Sequence, residues 1–293
     1  MFYNRMDNIL ARETKEYADF TKEQAREIDL LADQFHQWHR SVHLPQYADL
    51  LRDINGFLES DDDAISYELV QAWSTQIEQF VREMADCYPL NSAFDLMRTL
   101  SDAQVDQVLE HGIKEYDEFI EERIDRSLDD RIAKRYKETV KWLGRVELNL
   151  NREQKEKLRE TIVSEQRLGG AGMELWKSWH EEFVALLRDR NDEEFESKAG
   201  QHIRKLWTLQ DDNFPDTVEH NRTLWIDYFY GLSQSQTESQ RKDFSNWLAK
   251  MASNLDSIAA NVRSNKLEPM AVDGGACANP TYDDPGNSEN TTN

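Results

Sequence analysis

Residues 101–143 read SDAQVDQVLEHGIKEYDEFIEERIDRSLDDRIAKRYKETVKWL and contain no proline. Large apolar residues recur in this segment at a mean step of about 3.8 positions, a spacing typical of an α-helix with one buried face. At 1.5 Å per residue, a continuous helix here would be about 64 Å long. The pattern predicts one long helix that joins two halves of an elongated, all-α bundle. Its apolar positions are Val105, Leu109, Ile113, Tyr116, Ile120, Ile124, Leu128, Ile132, Tyr136, Val140 and Leu143.

The same apolar spacing predicts helices through most of the chain. Only 6 Pro and 11 Gly occur in 293 residues, so few positions interrupt helices or favour β-turns. After residue 263 the spacing stops and small or polar residues dominate, which predicts a disordered tail over 264–293. The other helices are expected near 4–17, 21–43, 46–58, 64–87, 90–99, 151–190, 193–210, 216–230 and 233–263.

Four of the expected helix starts share a capping box, Phe or Leu followed by Thr, Ser or Asn, two further residues and Gln. The side chain of the cap residue accepts a hydrogen bond from a helix amide, and the Gln side chain accepts one from the amide of the cap residue. These contacts satisfy amides that the helix itself leaves unpaired. The predicted pairs are Thr21 with Gln24, Ser101 with Gln104, Asn151 with Gln154, and Ser233 with Gln236.

The order of sequence landmarks indicates a tandem duplication. The first and third boxes lie 130 residues apart, and the second and fourth lie 132 apart. The predicted organisation is therefore an N-terminal segment (1–19), a first repeat (20–143) and a second repeat (150–263), with the glycines of 169–172 breaking the first helix of the second repeat. The landmarks shared by the halves are Trp38-His39 and Trp179-His180, LLRD at 50–53 and 186–189, acidic residues at 61–63 and 192–194, and helix-ending prolines at 89 and 215.

Composition bears on the class of partner and on location. With 57 Asp and Glu against 35 Lys and Arg, the net charge is −22, which argues against binding to nucleic acid or to anionic lipid. No apolar run is long enough to span a bilayer. The polar start MFYNRMDNILARETKEY is unlike a signal peptide and by itself predicts a cytoplasmic protein. Cys87 and Cys277 form no metal-binding spacing, and two thiols do not predict whether they pair.

A row of histidines is the best candidate for a metal site in the sequence. His36, His39 and His43 fall on one helix face, one turn after Asp33. The Glu of a catalytic HExxH motif is missing, so we expect packed histidines and no bound metal or cofactor. Carboxylates are too abundant to single out a catalytic pair, and no nucleophile or nucleotide motif occurs. These observations favour a protein that is not an enzyme; a hydrolase that uses carboxylates or the histidine row is the alternative.

The block from Trp38 to Tyr47 is the candidate binding element. Pro45 disfavours helix at the preceding residue, which predicts a bend between two helices. Trp38 and Tyr47 would pack into this corner, while His39 or Arg40 would hydrogen-bond the carbonyls freed at the helix end. The alternative is that His39 and Arg40 present a polar contact to a partner or a lipid headgroup.

Four segments give the chain a resemblance to a known family. They are YNRMDNIL at 3–10, FTKEQ at 20–24, WHRSVHLPQYADLL at 38–51 and WLGRVELNLNREQ at 142–154. Over about residues 1–250 the chain resembles an uncharacterised family of proteobacterial outer-membrane lipoproteins. The resemblance implies attachment at the periplasmic face of the outer membrane, through a lipidated cysteine that would precede the Tyr-Asn segment and that this sequence lacks. The resemblance, the absence of catalytic motifs and the elongated duplicated helices together favour a role through an unidentified protein partner.

A second resemblance rests on the four capping boxes alone. These four boxes are similar to the repeated Leu-Thr-x-x-Gln boxes of the periplasmic chaperones Spy and CpxP. This similarity implies a periplasmic chaperone or stress sensor as an alternative function.

Overall fold

The structure, a computed structural model, describes residues 3–60, 65–87, 90–124 and 126–260. Within these ranges it contains α-helices, one short 3-10 turn and no β-strand, so the all-α prediction is confirmed. None of the described helices is long and apolar enough to cross a membrane. The helices are α1 (Met6–Lys15), α2 (Lys22–Glu59), α3 (Tyr67–Cys87), α4 (Asn91–Arg98), α5 (Asp102–Ile124), α6 (Leu128–Arg145), α7 (Arg152–Ser164), α8 (Gly169–Arg188), α9 (Phe195–Lys205), α10 (Leu209–Asn213), α11 (Pro215–Gln234) and α12 (Glu238–Ala260).

The apolar faces of these helices form several separate clusters of buried side chains. One cluster joins α4, α5, α8 and α9 around Val105 and Phe195. A second joins α6, α7 and α11 around Leu143 and Leu158. Smaller clusters pack α2 against α3 and α11, and α1 against the start of α2. The core is therefore distributed along the chain of helices, as expected when each helix buries one stripe.

Helices from distant parts of the chain pack side by side. α2 lies against α1 and α12, α5 lies against α8, and α3 lies against α11. The helix that follows the first capping box thus packs on α12, and the helix that follows the second box packs on α8. Each predicted half shares its packing with the other half, while the duplication itself stays a prediction.

The capping boxes pair with one another through their glutamines. Gln24 and Gln104 exchange side-chain amide hydrogen bonds of 3.2 and 2.7 Å. Each Gln amide also donates to a backbone carbonyl just before the other box, that of Thr99 or Asp19. Both glutamines are buried, so the pair satisfies polar groups that would be costly to leave unbonded. The boxes therefore join two helix N-termini to each other as well as capping them.

The same arrangement recurs in the second half, but one box lies four residues later than predicted. Gln154 pairs with Gln240 at 3.3 and 2.8 Å, and Gln240 belongs to a box that starts at Thr237. The prediction of a box at Ser233 and Gln236 is wrong, because Ser233 lies inside α11 and donates to the carbonyl of Tyr230. The segment SQSQTESQ contains the pattern twice, and packing against Gln154 selects the second copy. The other three boxes form at the predicted residues.

The cap assignment predicts different stabilities for two neighbouring variants. Thr237→Ala removes the oxygen that accepts from the Gln240 amide, so we expect the free energy of unfolding to fall by about 1 kcal/mol. Ser233→Ala removes a hydrogen bond within a helix and is expected to cost less than about 0.5 kcal/mol. Urea unfolding of both variants measures the difference. A larger cost for Ser233→Ala than for Thr237→Ala would contradict this assignment and support the predicted box at Ser233 and Gln236.

Several predicted helices differ in their bounds; the predicted helix 193–210, for example, is divided into α9 and α10. The segment 101–143 is two helices, since α5 ends at Ile124 and Ser127 caps α6 by accepting from the Asp130 amide at 3.1 Å. The predicted helix 151–190 is broken between α7 and α8, just before Gly169, whose φ is +53°. Pro215 begins α11 and does not end a helix. Pro89, the acidic residues 61–63, the side chain of Cys87 and the predicted tail 264–293 with Cys277 lie outside the described residues.

Candidate functional site

The candidate binding block lies within one continuous helix. α2 runs from Lys22 to Glu59 through Pro45, so the predicted division into two helices at Leu44 and Pro45 is wrong. Pro45 lacks an amide hydrogen and leaves the carbonyl of Ser41, on an exposed residue, without its helical donor. Leu44 and Ala48, on either side of the proline, are 2% and 0% exposed. Their packing within the bundle, where α12 lies along α2, keeps the helix continuous.

His39 is at the centre of a group of polar and aromatic side chains. Its ring nitrogens lie 2.8 Å from the hydroxyl of Tyr3 and 3.3 Å from that of Tyr47. The Tyr47 hydroxyl also donates to the sulfur of Met84 at 3.8 Å. It therefore accepts from Nε2 of His39, and Tyr3 donates to Nδ1. We call this group the histidine cluster; its members are Tyr3, His36, His39, Arg40, His43 and Tyr47.

Arg40 joins a second histidine to the cluster. Its Nη2 lies 3.4 Å from Nε2 of His36, and its guanidinium lies over the ring of Tyr3 at 5.7 Å. Since a guanidinium only donates, Nε2 of His36 accepts. Arg40 is only 5% exposed. This burial favours a packing role for Arg40 over the alternative in which Arg40 presents its charge to a partner or lipid headgroup, and both ring nitrogens of His39 contact tyrosine hydroxyls.

His43 is the most enclosed member of the histidine cluster. It is 1% exposed, and neither ring nitrogen has a hydrogen-bond partner among the described residues. Its ring stacks on that of His39 at 5.4 Å, and Trp38 packs edge-on against it at 4.7 Å. The imidazole thus occupies an aromatic environment, which favours its uncharged form.

Burial keeps the three histidines of the histidine cluster neutral at pH 7. Desolvation lowers the pKa of His39 and of His43 to about 4. The pKa of His36 is lowered by burial and by the charge of Arg40. Burial also raises the pKa of Tyr3 to about 12, so its hydroxyl stays protonated and able to donate. No group of three His, Cys, Asp or Glu side chains in the described part of the chain is arranged to hold a metal ion. The geometry therefore favours packed, neutral histidines.

The second Trp-His pair, on α8, fixes this helix to α5 of the first predicted repeat and to α9 of its own repeat. Nε2 of His180 lies 3.2 Å from the carbonyl of Val108 on α5. A Cβ added to Gly112 would lie 2.0 Å from this nitrogen, so the glycine permits the close approach of α5 and α8. Trp179 donates to the carbonyl of His202 at 2.9 Å, and Nε2 of His202 lies 2.8 Å from the carbonyl of Trp179. This pair links α8 to both α5 and α9.

Two surface grooves are lined by described residues, and neither contains a member of the histidine cluster. The groove between α2 and α12 has a volume of about 290 Å³, and Arg52 and Asp256, which form an ion pair, are among its lining residues. The other has a volume of about 370 Å³ and lies between Tyr136 of α6 and basic residues of α7.

Sequence analysis missed Tyr3 as a member of the site. Tyr3 lies 36 residues from His39, and no local pattern connects the two. The pairing of the glutamines of separate boxes was likewise missed, although their repeated spacing was visible. Trp38, His39, Arg40, Pro45 and Tyr47 do lie together on α2, and a binding role for them stays a prediction.

Comparison with known proteins places the chain in a family. A model described as a family of unknown function (DUF6279) matches residues 16–214, which include His36 to Tyr47 and all of α6. No curated protein and no solved structure matches the chain. The comparisons contain no support for the resemblance to lipoproteins or to Spy and CpxP. Since the match spans more than half of the sequence, the protein belongs to the DUF6279 family of unknown function.

Proposed function

We propose that the protein is a non-enzymatic helical lipoprotein at the periplasmic face of the outer membrane, where it acts by binding another protein. Location and lipid attachment rest on the resemblance described above. The observation that carries the non-enzymatic part is the histidine cluster, in which both nitrogens of His39 are bonded to tyrosine hydroxyls.

A hydrolase would need a base that reaches a substrate. A general base must come within hydrogen-bond distance of the proton it removes. His36 accepts from Arg40, His39 is engaged on both nitrogens, and His43 is packed beneath Trp38. The most strongly perturbed histidines in the described residues are thus used in packing, which supports a structural role for them.

We infer that exposed apolar side chains on α3 and just before α10 form one strip that contacts a protein partner. Ile77 and Val81, one turn apart on α3, are 53% and 36% exposed. Trp207, just before α10, is 46% exposed. Ion pairs of Arg222 with Glu78 and of Arg82 with Asp211 connect α3 to α11 and α10 beside these residues. Apolar side chains bordered by charged pairs are typical of protein interfaces.

Crosslinking in native envelopes tests this proposal. We expect the wild-type chain to crosslink to a discrete partner, and Ile77→Ser combined with Trp207→Ser to lose most of that product. Leu30→Ser is the matched control, because Leu30 on α2 is 54% exposed and belongs to a different surface. Equal crosslinking by the double variant and the wild type would reject the strip as the contact, and the absence of any partner would reject the binding function.

A chaperone is the second candidate, and it rests on the resemblance of the capping-box sequences to those of Spy and CpxP described above. A chaperone holds many unfolded clients, whereas a binding protein holds one folded partner. Aggregation of a reduced test protein separates the two functions. Suppression of aggregation at a molar ratio near one would favour the chaperone, and unchanged aggregation together with a discrete crosslinked partner would favour the binding protein.

A further inference from the structure

Positive charge is concentrated in one part of this acidic protein. Residues 126–164, which include α6 and α7, contain 11 Lys and Arg against 7 Asp and Glu, a net charge of +4. The remaining residues carry −26. The net charge of the whole chain therefore conceals a local basic surface.

The basic residues of α6 lie along its outer face. Lys134, Lys137, Lys141 and Arg145 recur at steps of three and four, which places them in one stripe, and all four are exposed. The opposite face carries Ile132, Tyr136, Val140 and Leu143, which pack in the core against α7 and α11. Between the basic residues there is one acidic side chain, Glu138, which pairs with Lys134 at 3.9 Å. The stripe thus keeps most of its positive charge.

Large apolar side chains border this basic stripe. Trp142 is 54% exposed, and Leu128 at the start of α6 is 51% exposed. Trp142 lies on the flank of the stripe by helical position, and Leu128 lies nearer the buried face of α6. The groove beside Tyr136 adds basic side chains of α7, since it is lined by Arg152, Lys155 and Arg159, with Glu156 as its acidic member. Exposed Trp and Leu beside Lys and Arg are typical of helices that lie in the interface of a membrane.

We infer that the outer face of α6 docks on a membrane surface that contains anionic phospholipid. Lys134, Lys137, Lys141 and Arg145 would contact headgroup phosphates, and Trp142 would lie at headgroup level. A membrane is flat, so that only one face of the protein contacts it, while the acidic remainder is repelled and points away from it. A polyanion that wraps around the protein would meet that acidic remainder. This inference revises the expectation, based on net charge, that anionic lipid is not a ligand, and it does not depend on the proposed protein partner.

Vesicle flotation with the full chain tests the inference. The probes are vesicles of phosphatidylcholine alone and vesicles with about 30% phosphatidylglycerol. We expect the wild type to bind anionic vesicles at least about tenfold more tightly than neutral ones, with loss of binding at high salt. Changing Lys134, Lys137, Lys141 and Arg145 together to Gln is expected to weaken binding by at least about tenfold.

Matched controls separate the stripe from general charge. The control variant replaces four other exposed basic residues on α2 and α12 by Gln, namely Lys22, Arg26, Lys242 and Lys250. It removes the same charge and is expected to change binding by less than about twofold. Circular dichroism melts establish that each variant is folded. Absence of binding to anionic vesicles, or equal losses in the two fourfold variants, would overturn the inference. Tighter binding to polyglutamate or duplex DNA than to the vesicles would also overturn it, in favour of a soluble polyanion.

Discussion

Acidification from pH 7 to pH 4 is expected to lower the free energy of unfolding by about 4 kcal/mol through His39 and His43. Both have a pKa of about 4 in the folded protein, against 6.5 as the ordinary value. Between these values the unfolded chain binds more protons, so stability falls as the pH falls below 6.5 and the loss is nearly complete below pH 4. This total takes about 2 kcal/mol for each histidine, which is less than the full pKa shift would give, because water screens part of the effect of burial.

Urea unfolding at several pH values between 4 and 7 measures this loss. The ring nitrogens of His43 have no hydrogen-bond partner among the described residues, so His43→Phe keeps an aromatic ring at this enclosed position without breaking a hydrogen bond. About half of the pH dependence is expected to disappear. His220→Gln, at an exposed position, is the matched histidine substitution against which the effect of His43→Phe is compared. A wild-type protein whose stability is flat over this range would contradict the buried, neutral histidine cluster.

Trp38→Ala is expected to lower the free energy of unfolding by about 3–5 kcal/mol. Trp38 is 9% exposed and packs edge-on against His43. Its removal leaves a cavity that admits water to His43, so the pKa of that histidine should rise toward its ordinary value. Denaturant unfolding measures the first effect and proton NMR the second.

A matched tryptophan separates packing from binding. Trp142→Ala is expected to cost less than about 1 kcal/mol, because this ring is 54% exposed. A Trp38→Ala protein that is stable and folded but no longer crosslinks to its partner would show that Trp38 is a binding residue.

The helices were largely predictable because their signals are local. Apolar steps of three and four and the capping boxes at Thr21, Ser101 and Asn151 depend only on neighbouring residues. The break before α6 also had a local signal, Ser127 followed three residues later by Asp130, and it was hidden by the continuous apolar stripe. Local rules therefore suffice where a single signal is present and fail where two compete.

The candidate site was less predictable because its decisive contacts are distant in sequence. The steric rule for Pro45 predicts a bend, but packing around Leu44 and Ala48 keeps α2 continuous. The contact of Tyr3 with His39 and the choice of Thr237 over Ser233 both depend on partners that only the folded chain brings near. The basic face of α6 was not predicted for a different reason, because the net charge of the whole chain conceals a local excess of positive charge.

An NMR titration of the histidine ring protons tests the central claim most directly, namely that the three histidines of the histidine cluster are packed and neutral. The chain has 7 histidines, and His39→Gln and His43→Phe assign the two signals of interest. We expect His39 and His43 to titrate near pH 4 and His36 to titrate below its ordinary value, with no change on addition of Zn²⁺. Titration of His39 and His43 near pH 6.5, or a shift of their signals with stoichiometric Zn²⁺, would contradict the account and restore the histidine row as a functional site.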